Sequence, residues 1–192
     1  MKKLKVLMLN GSPHANGNTA VALRKMEEIF KASGVEVETV LIGNQAVCGC
    51  TACGACGKLG KCVFDDVVNE LKPKFEEADG LVVASPVYYA SANATLVACL
   101  DRLFYISSFD KTMKVGASVV CARRGGCSAT FDERDTLHQK RHVARERAHR
   151  LPALAVLLRL AGRAAVDAVP ILAGRDRHAG NREILIELVK CC

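Results

Sequence analysis

The chain has 192 residues, half of them hydrophobic, and a net charge of +7. This length and composition predict a single globular domain over residues 1–192. Residues 134–192 hold 12 of the 27 basic side chains but only 6 of the 20 acidic ones. The basic excess therefore belongs to the end of the chain, and it is not typical of a nucleic-acid-binding surface.

No stretch of the sequence has the pattern of a membrane span or a secretory signal. The longest apolar stretch, 151–174, is interrupted by Arg159, Arg163 and Asp167. The first residues lead directly into a short apolar strand, without the long apolar segment of a signal peptide. We therefore expect a cytoplasmic protein without membrane or nucleic-acid partners. In that compartment the ten cysteines favour metal ligands or free thiols over disulfides.

Strands and helices are predicted to alternate along the chain. The predicted strands are residues 4–9, 35–42, 80–84 and 114–121, and the predicted helices are residues 19–32, 65–77 and 94–105. Pro73 predicts a kink or an interruption in the second helix. Such alternation is typical of an α/β domain, in which a doubly wound parallel sheet lies between two layers of helices.

The first predicted strand ends in a loop, residues 10–19, that is rich in hydroxyls, amides and glycine. Backbone N–H groups at the start of the next helix would converge on an anion, and the helix dipole favours negative charge there. The sequence lacks the Lys of a nucleoside-triphosphate loop and the G-x-G-x-x-G of a dinucleotide site. The loop therefore predicts a site for one terminal phosphate; the alternative is an N-capped turn that binds nothing. The candidate ligands are Ser12, Asn16, Asn18 and Thr19.

Two further loops follow predicted strands and would meet the first at the carboxyl edge of the sheet. The second loop has aromatic rings suited to packing along a ring system, and the third has two arginines and a Gly-Gly turn suited to close backbone approach. The candidates are Pro86, Val87, Tyr88 and Tyr89 in the second loop and Arg123, Arg124, Gly125 and Gly126 in the third. Together the three loops predict bound FMN, although either tyrosine alone would equally suit the edge of a core.

Five cysteines lie between positions 48 and 62. The spacing Cys-x2-Cys-x2-Cys is that of iron–sulfur proteins, because close thiolates bind three corners of a cubane. A further cysteine, after five intervening residues, would supply the fourth corner. The predicted ligands of one [4Fe–4S] cluster are Cys50, Cys53, Cys56 and Cys62, and we expect Cys48 to be dispensable. Zinc and free or redox-active thiols are the alternatives.

Several segments together resemble a known family. They are Gly11-Ser12-Pro13 with Gly17-Asn18-Thr19, Ser85-Pro86-Val87-Tyr88-Tyr89, Leu100-Asp101-Arg102 and Arg123-Arg124-Gly125-Gly126. They resemble the flavodoxin-like NAD(P)H-dependent FMN reductases and, with the cysteines, the iron–sulfur flavoprotein branch of that family. The resemblance covers about residues 1–133. It implies strand order 2-1-3-4-5, FMN at the three loops, NAD(P)H as cosubstrate, and a homodimer or homotetramer.

The leading hypothesis is an FMN-dependent NAD(P)H oxidoreductase that passes electrons to a small-molecule or protein acceptor. In such a protein the flavin carries the chemistry, so no catalytic side chain is assigned. The first alternative is an iron–sulfur flavoprotein that acts as an electron carrier and is reduced by a ferredoxin. The second alternative is a non-catalytic metal- or nucleic-acid-binding module.

Residues 134–192 differ in composition from the residues before them, because no aromatic residue follows Phe131 and arginine replaces lysine. One interpretation continues the domain with helices near 133–150 and 152–165, a fifth strand at 168–173 and a last helix from Asn181. The other is an altered reading frame. Codons for residues 137–142, read one base later, can encode Phe-Thr-Lys-Ser-Gly-Met, which resembles the family's continuation.

Overall fold

A computed structural model describes residues 3–111, 114–123 and 125–130, and the backbone of 183–187. The strands are β1 (Lys5–Asn10), β2 (Glu36–Leu41), β3 (Gly80–Tyr88), β4 (Ser91–Ala92), β5 (Val115–Ala122) and β6 (Glu183–Glu187). The helices are α1 (Asn18–Ala32), α2 (Cys56–Leu59), α3 (Val67–Glu77) and α4 (Ala94–Ile106). Residues 127–130 are also helical.

One sheet organises the domain, with strand order β2-β1-β3-β5-β6. The pairs β1–β2, β1–β3 and β3–β5 are parallel, so these four strands end at the same edge of the sheet. The short strand β4 turns back and pairs antiparallel with β3 beyond this edge. The first four positions therefore follow the predicted order 2-1-3-4.

Alternate side chains of the central strands pack in two separate cores, one on each face of the sheet, so the domain has three layers. Val6 and Met8 of β1 pack on one face, together with the buried side of α1. Leu7 and Leu9 pack on the other face, against α3 and α4. Both faces of the central strands β1, β3 and β5 are covered, which explains their largely apolar sequence, whereas β2 is exposed or half-buried and contains glutamates. The predicted doubly wound, flavodoxin-like fold is confirmed.

The end of the chain differs from the prediction. Residues 183–187 form β6, which pairs antiparallel with β5, so the helix predicted from Asn181 is wrong at these positions. The sequence of residues 184–186, Ile-Leu-Ile, suits a strand because isoleucine has a high β-propensity. The predicted helices at 133–150 and 152–165 and the predicted strand at 168–173 lie outside the described residues.

Two local details also depart from the expected pattern. Helix α3 continues through Pro73 to Glu77, so the predicted interruption is absent from this helix. Its N-cap is Asp66, whose side chain accepts from the Val68 amide at 3.1 Å. The strand β3 is longer than predicted and runs to Tyr88. The second candidate loop is therefore mostly strand.

Candidate functional site

The loop between β1 and α1 is held by buried hydrogen bonds to neighbouring elements. The Gly11 amide donates to the Ala84 carbonyl of β3 at 2.7 Å, and Asn93 Nδ2 donates to the Gly11 carbonyl at 2.6 Å. The Ser12 amide donates to Asn10 Oδ1 at 2.9 Å. Because these bonds join the loop to both β3 and α4, its backbone is shaped by the fold itself.

Gly43, which directly follows β2 and Ile42, closes the other side of this loop. A Cβ at Gly43 would lie 2.3 Å from the carbonyl carbon of Ser12, 2.4 Å from the Gly11 oxygen and 2.5 Å from the Pro13 nitrogen. Real side chains do not make contacts this short, so only glycine fits there. Sequence reasoning missed this residue, along with Asn10 and Asn93; a glycine immediately after a strand was the available signal.

The start of α1 is open to an anion. Its N-cap residue is Gly17, which has no side chain to cap the helix, and the first turn contains no acidic residue. The structure thus lacks the side-chain cap of the alternative N-capped turn. Backbone N–H groups in a first helical turn have no partner within the helix, and the dipole adds positive potential. Ser12 and Thr19 are both buried here, and Asn18 is the first residue of the helix.

Asn16 lies on the exposed side of the same loop rather than beside its buried hydroxyls. Its side-chain oxygen accepts from Arg24 at 3.4 Å, and Arg24 also donates to the Ala15 carbonyl at 3.3 Å. This arginine, on the second turn of α1, brings a positive charge to the loop. Arg24 was not among the predicted ligands.

The second candidate loop is a tight hairpin between β3 and β4. Its two turn residues, Tyr89 and Ala90, have left-handed φ angles of 44° and 69°. Two-residue hairpin turns favour positive φ, but Gly or Asn normally supplies it, so the turn holds backbone strain. The Tyr89 side chain is fully exposed at 105%, so it is not a core-edge aromatic among residues 3–111, 114–123 and 125–130. Tyr88 is 47% exposed, and partial burial raises its pKa.

The third candidate loop touches this hairpin. Gly126 has a φ of 106°, and a Cβ on it would lie 3.0 Å from Val87 Cγ1 and 3.1 Å from Ala90 Cα. Glycine is therefore required for both conformation and space. Arg123 and Gly125 are exposed, whereas Arg124 lies outside the described residues.

The end of β5 also meets the start of α1, because Cys121 and Thr19 share a side-chain hydrogen bond. Burial raises the pKa of the Cys121 thiol to about 11, although the bond from Thr19 opposes that rise. Cys121 is therefore a neutral thiol near pH 7. Contacts link the three loop regions in pairs, Gly11 with Ala84, Gly126 with Ala90, and Thr19 with Cys121. Asn16 lies on the outside, and Pro86 and Val87 are half-buried in β3.

The cysteine loop, residues 48–62, is built differently. Cys48, Cys50 and Cys53 are exposed, Cys56 and Cys62 are half-buried, and none of the five forms a disulfide. In the part of the chain that the structure describes, no three His, Cys, Asp or Glu side chains gather into a metal-binding group. Free thiols at this spacing suit iron–sulfur chemistry, but their sulfurs do not converge here. Loading a cluster therefore requires the exposed part of the loop to rearrange.

The two ends of the cysteine loop are nevertheless held firmly. Cys62 donates its amide to Asn69 Oδ1 at 2.8 Å, and its carbonyl accepts from Asn69 Nδ2 at 3.1 Å. Arg102 of α4, only 1% exposed, pairs with Asp66 through two bonds of 2.6 and 2.9 Å. Burial tends to lower the Arg102 pKa, but its hydrogen bonds to Asp66 and Cys62 outweigh burial and raise it.

One helix thus contacts both candidate regions. Asn93, the N-cap of α4, holds the Gly11 carbonyl, while Arg102 reaches the cysteine loop. Among the described residues, no helix is both long and apolar enough to cross a membrane.

Comparison with known proteins agrees with this arrangement. The family described as NADPH-dependent FMN reductase matches residues 4–149. An iron–sulfur flavoprotein of Methanosarcina thermophila is 37% identical over 144 residues, which cover 73% of this chain and 74% of the relative. An iron–sulfur flavoprotein of Methanocaldococcus jannaschii is 32% identical over 133 residues, covering 68% of this chain and 69% of the relative.

Solved structures share the fold at lower sequence identity. A structure titled as apo NADH:FMN oxidoreductase has a TM-score of 0.53 at 19% identity, covering 92% of this chain and 94% of that one. RosB, solved with a bound intermediate, has a TM-score of 0.60 at 18% identity and covers 73% of this chain and 61% of that one.

Proposed function

Since the chain belongs to the NADPH-dependent FMN reductase family and is a flavoprotein oxidoreductase, we propose that it binds FMN across the three loops and uses NAD(P)H as its electron donor. The open N-terminus of α1, next to buried hydroxyls, carries this proposal. The terminal phosphate of FMN would lie there, where Asn18 and the hydroxyls of Ser12 and Thr19 would supply hydrogen bonds. The two hydroxyls would turn toward the phosphate from their partners in this structure, the His14 carbonyl and the Cys121 sulfur. The flavin that these residues would hold would supply the chemistry, which is hydride acceptance from a nicotinamide and electron transfer to an acceptor.

The other loops would hold the ring end of the flavin. The exposed rings of Tyr88 and Tyr89 offer an uncovered aromatic surface beside the hairpin, and such surface suits packing along an isoalloxazine. Arg123 and the backbone at Gly125 and Gly126 would approach from the third loop. Arg124 is proposed with them from its sequence position. Asn16 is the weakest of the proposed ligands, because it faces outward toward Arg24.

The flavin proposal is tested by removing the two buried hydroxyls. Replacing Ser12 and Thr19 with Ala removes two charge-assisted hydrogen bonds, each worth about 1.5–3 kcal/mol. FMN affinity, measured by quenching of flavin fluorescence, should fall by about 100-fold or more. The matched control is Ser33→Ala with Thr39→Ala, which removes the same hydroxyl types at exposed positions. Unchanged FMN binding in the first double variant would contradict the assignment.

We further propose that Cys50, Cys53, Cys56 and Cys62 hold one [4Fe–4S] cluster. The free thiols at cluster spacing, and the names of the archaeal relatives, support this proposal. Anaerobic reconstitution should give about four irons per chain and a broad visible band. Cys53→Ser should abolish the band while FMN stays bound, and Cys48→Ser is the matched control that should keep it. Uptake of zinc, or of no metal, by the native chain would exclude the cluster.

The identity of the electron donor distinguishes an NAD(P)H oxidoreductase from an electron carrier reduced by ferredoxin. An NAD(P)H oxidoreductase should show flavin bleaching in stopped-flow mixing with NADPH or NADH. An electron carrier should bleach instead on mixing with reduced ferredoxin, and its cluster band should change with the flavin. A purified protein without flavin absorbance would favour a non-catalytic binding module. The homodimer or homotetramer, the cytoplasmic location and the single domain over residues 1–192 remain predictions.

A further inference from the structure

Arg102 occupies a position that the flavin site does not use. It is 1% exposed and lies under the cysteine loop, on the middle of α4. Its Nε donates to Cys62 Sγ at 3.3 Å, and its Nη1 lies 3.3 Å from the Cys48 carbonyl and 3.9 Å from the Cys48 sulfur. One guanidinium therefore contacts the first and the last cysteine of the loop.

All five N–H groups of this guanidinium have partners. Two point to the carboxylate of Asp66 and one to the Cys62 sulfur. The remaining two reach the carbonyls of Cys48 and Phe64, each at 3.3 Å. Lysine has three donors on a single nitrogen and cannot satisfy this planar fork.

A buried ion pair is weak support for stability, because desolvation consumes most of its electrostatic gain. Apolar residues of the same volume often stabilise a protein as well or better. The pair formed by Arg102 and Asp66 thus calls for a role beyond holding the domain together. The remaining donors of Arg102 all point to the cysteine loop and to Phe64, two residues after it.

We propose that Arg102 is the positioning residue of the cysteine loop, and this rests on the proposed cluster. Arg102 ties Cys48 and Cys62 to α4, so that the loop needs to rearrange only between two fixed ends. It also keeps an N–H donor and a positive charge on the sulfur of Cys62. Hydrogen bonds to cluster sulfurs set the reduction potential. Reduction adds one negative charge, so this donor makes the midpoint potential of the loaded protein more positive.

Two variants test the proposal in the full chain. Arg102→Lys keeps the charge but loses the fork. Arg102→Met with Asp66→Asn removes both buried charges together, and Asn keeps the N-cap of α3. The matched control is Lys72→Ala, because Lys72 contacts the Gly60 carbonyl of the same loop at 2.5 Å from the exposed side. Circular dichroism and FMN content show which variants remain folded.

The first readout needs no metal. Trypsin cleavage after Lys58 and Lys61, both exposed within the loop, reports local opening. Releasing the loop ends should raise the cleavage rate about 10-fold in both Arg102 variants and leave Lys72→Ala unchanged. Unchanged cleavage in a folded Arg102 variant overturns the proposal. If the native chain takes up no iron but the variants are cleaved faster, the cluster proposal fails while the positioning of the loop stands.

The second readout is the loaded protein. Iron should be lost to a chelator several-fold faster from the folded Arg102 variants, and the midpoint potential, titrated with dithionite, should shift to a more negative value. A purely structural role would leave that potential unchanged, so native potential and native iron retention overturn the proposal. Failure of both variants to fold also overturns it, since Arg102 would then serve stability alone.

Discussion

The two candidate regions are constructed in opposite ways. The loop between β1 and α1 is buried and joined to three other elements through Ala84, Asn93 and Gly43. The cysteine loop is exposed over most of its length and is held at its ends by Arg102 and Asn69. The proposed phosphate site is therefore ordered by protein contacts alone. The proposed cluster site would become fully ordered only when the metal binds.

The largest effect should come from Gly43→Ala. Its Cβ would displace the backbone of Gly11 and Ser12, and overpacking of this kind costs about 1–3 kcal/mol or more. We expect FMN affinity to fall by about 100-fold or more, as in the loss of two phosphate hydrogen bonds. The matched control is Gly49→Ala in the cysteine loop, where the new Cβ meets nothing within 4 Å.

Flavin binding is measured by fluorescence titration. If both glycine variants bind FMN as tightly as the native chain, protein contacts at Gly43 do not shape the β1–α1 loop for FMN. Equal loss of binding would mean that the cysteine loop also shapes the flavin site.

The next largest effect should be a difference in thiol reactivity between the cysteine loop and the buried cysteines of the domain. In metal-free protein at pH 8, iodoacetamide should label the exposed Cys48, Cys50 and Cys53 rapidly. Burial raises the pKa of Cys99 to about 12 and that of Cys121 to about 11. Their thiolate fraction at pH 8 is then about one in a thousand or less, because the thiol form dominates until the pH nears the raised pKa.

Peptide mass spectrometry gives the rate at each cysteine. After cluster loading, labelling should persist at Cys48 and stop at the four proposed ligands. Rapid labelling of Cys121 at pH 8 would show that the edge of the sheet opens as readily as the cysteine loop.

The smallest expected effect is on the free energy of unfolding, and it compares substitutions at two alanines with a left-handed backbone conformation. Ala90, in the hairpin turn, has a φ of 69°, and Ala52, in the cysteine loop, has a φ of 55°. Glycine relieves a left-handed conformation, so Ala90→Gly should raise the free energy of unfolding by about 0.5–1 kcal/mol after its entropic cost. Ala52→Gly should change it little, because an exposed loop opens locally before the domain unfolds. Urea denaturation measures both; a larger gain for Ala52→Gly would reverse the comparison.

Local patterns in the sequence were enough to predict most of the described fold. Strands β1, β3 and β5 are largely apolar runs, β2 alternates valine with glutamate at its start, and helix periodicity located α1, α3 and α4 within one or two residues of their observed bounds. The extension of β3 to Tyr88 was missed because Pro86 suggested a loop. Strand β6 was missed because its neighbour, β5, lies far away in the sequence.

The part of the candidate site that the sequence predicted also rests on local patterns. Ser12 and Thr19 stand out in sequence because they are the hydroxyl residues at the two ends of a polar turn between a strand and a helix. Asn93 bonds to that turn from 82 positions away, so no local pattern reveals its role. A glycine directly after β2 was a local signal at Gly43, but the backbone that Gly43 contacts is not evident from the sequence. Arg102 was noted within a family segment, but its burial under the cysteines depends on Asp66, 36 positions earlier. Long-range partners of this kind are visible only in the folded chain.

The phase of α4 has a consequence for how this domain can vary in length. Nine positions separate Asn93 from Arg102, about 13–14 Å along a helix. A single inserted residue between them would turn Arg102 by about 100° around the axis, away from Asp66 and both cysteines. Inserted residues are tolerated far better in exposed loops. Length changes compatible with both loops should therefore accumulate on either side of this segment, and a one-residue insertion within it should uncouple the cysteine loop from α4.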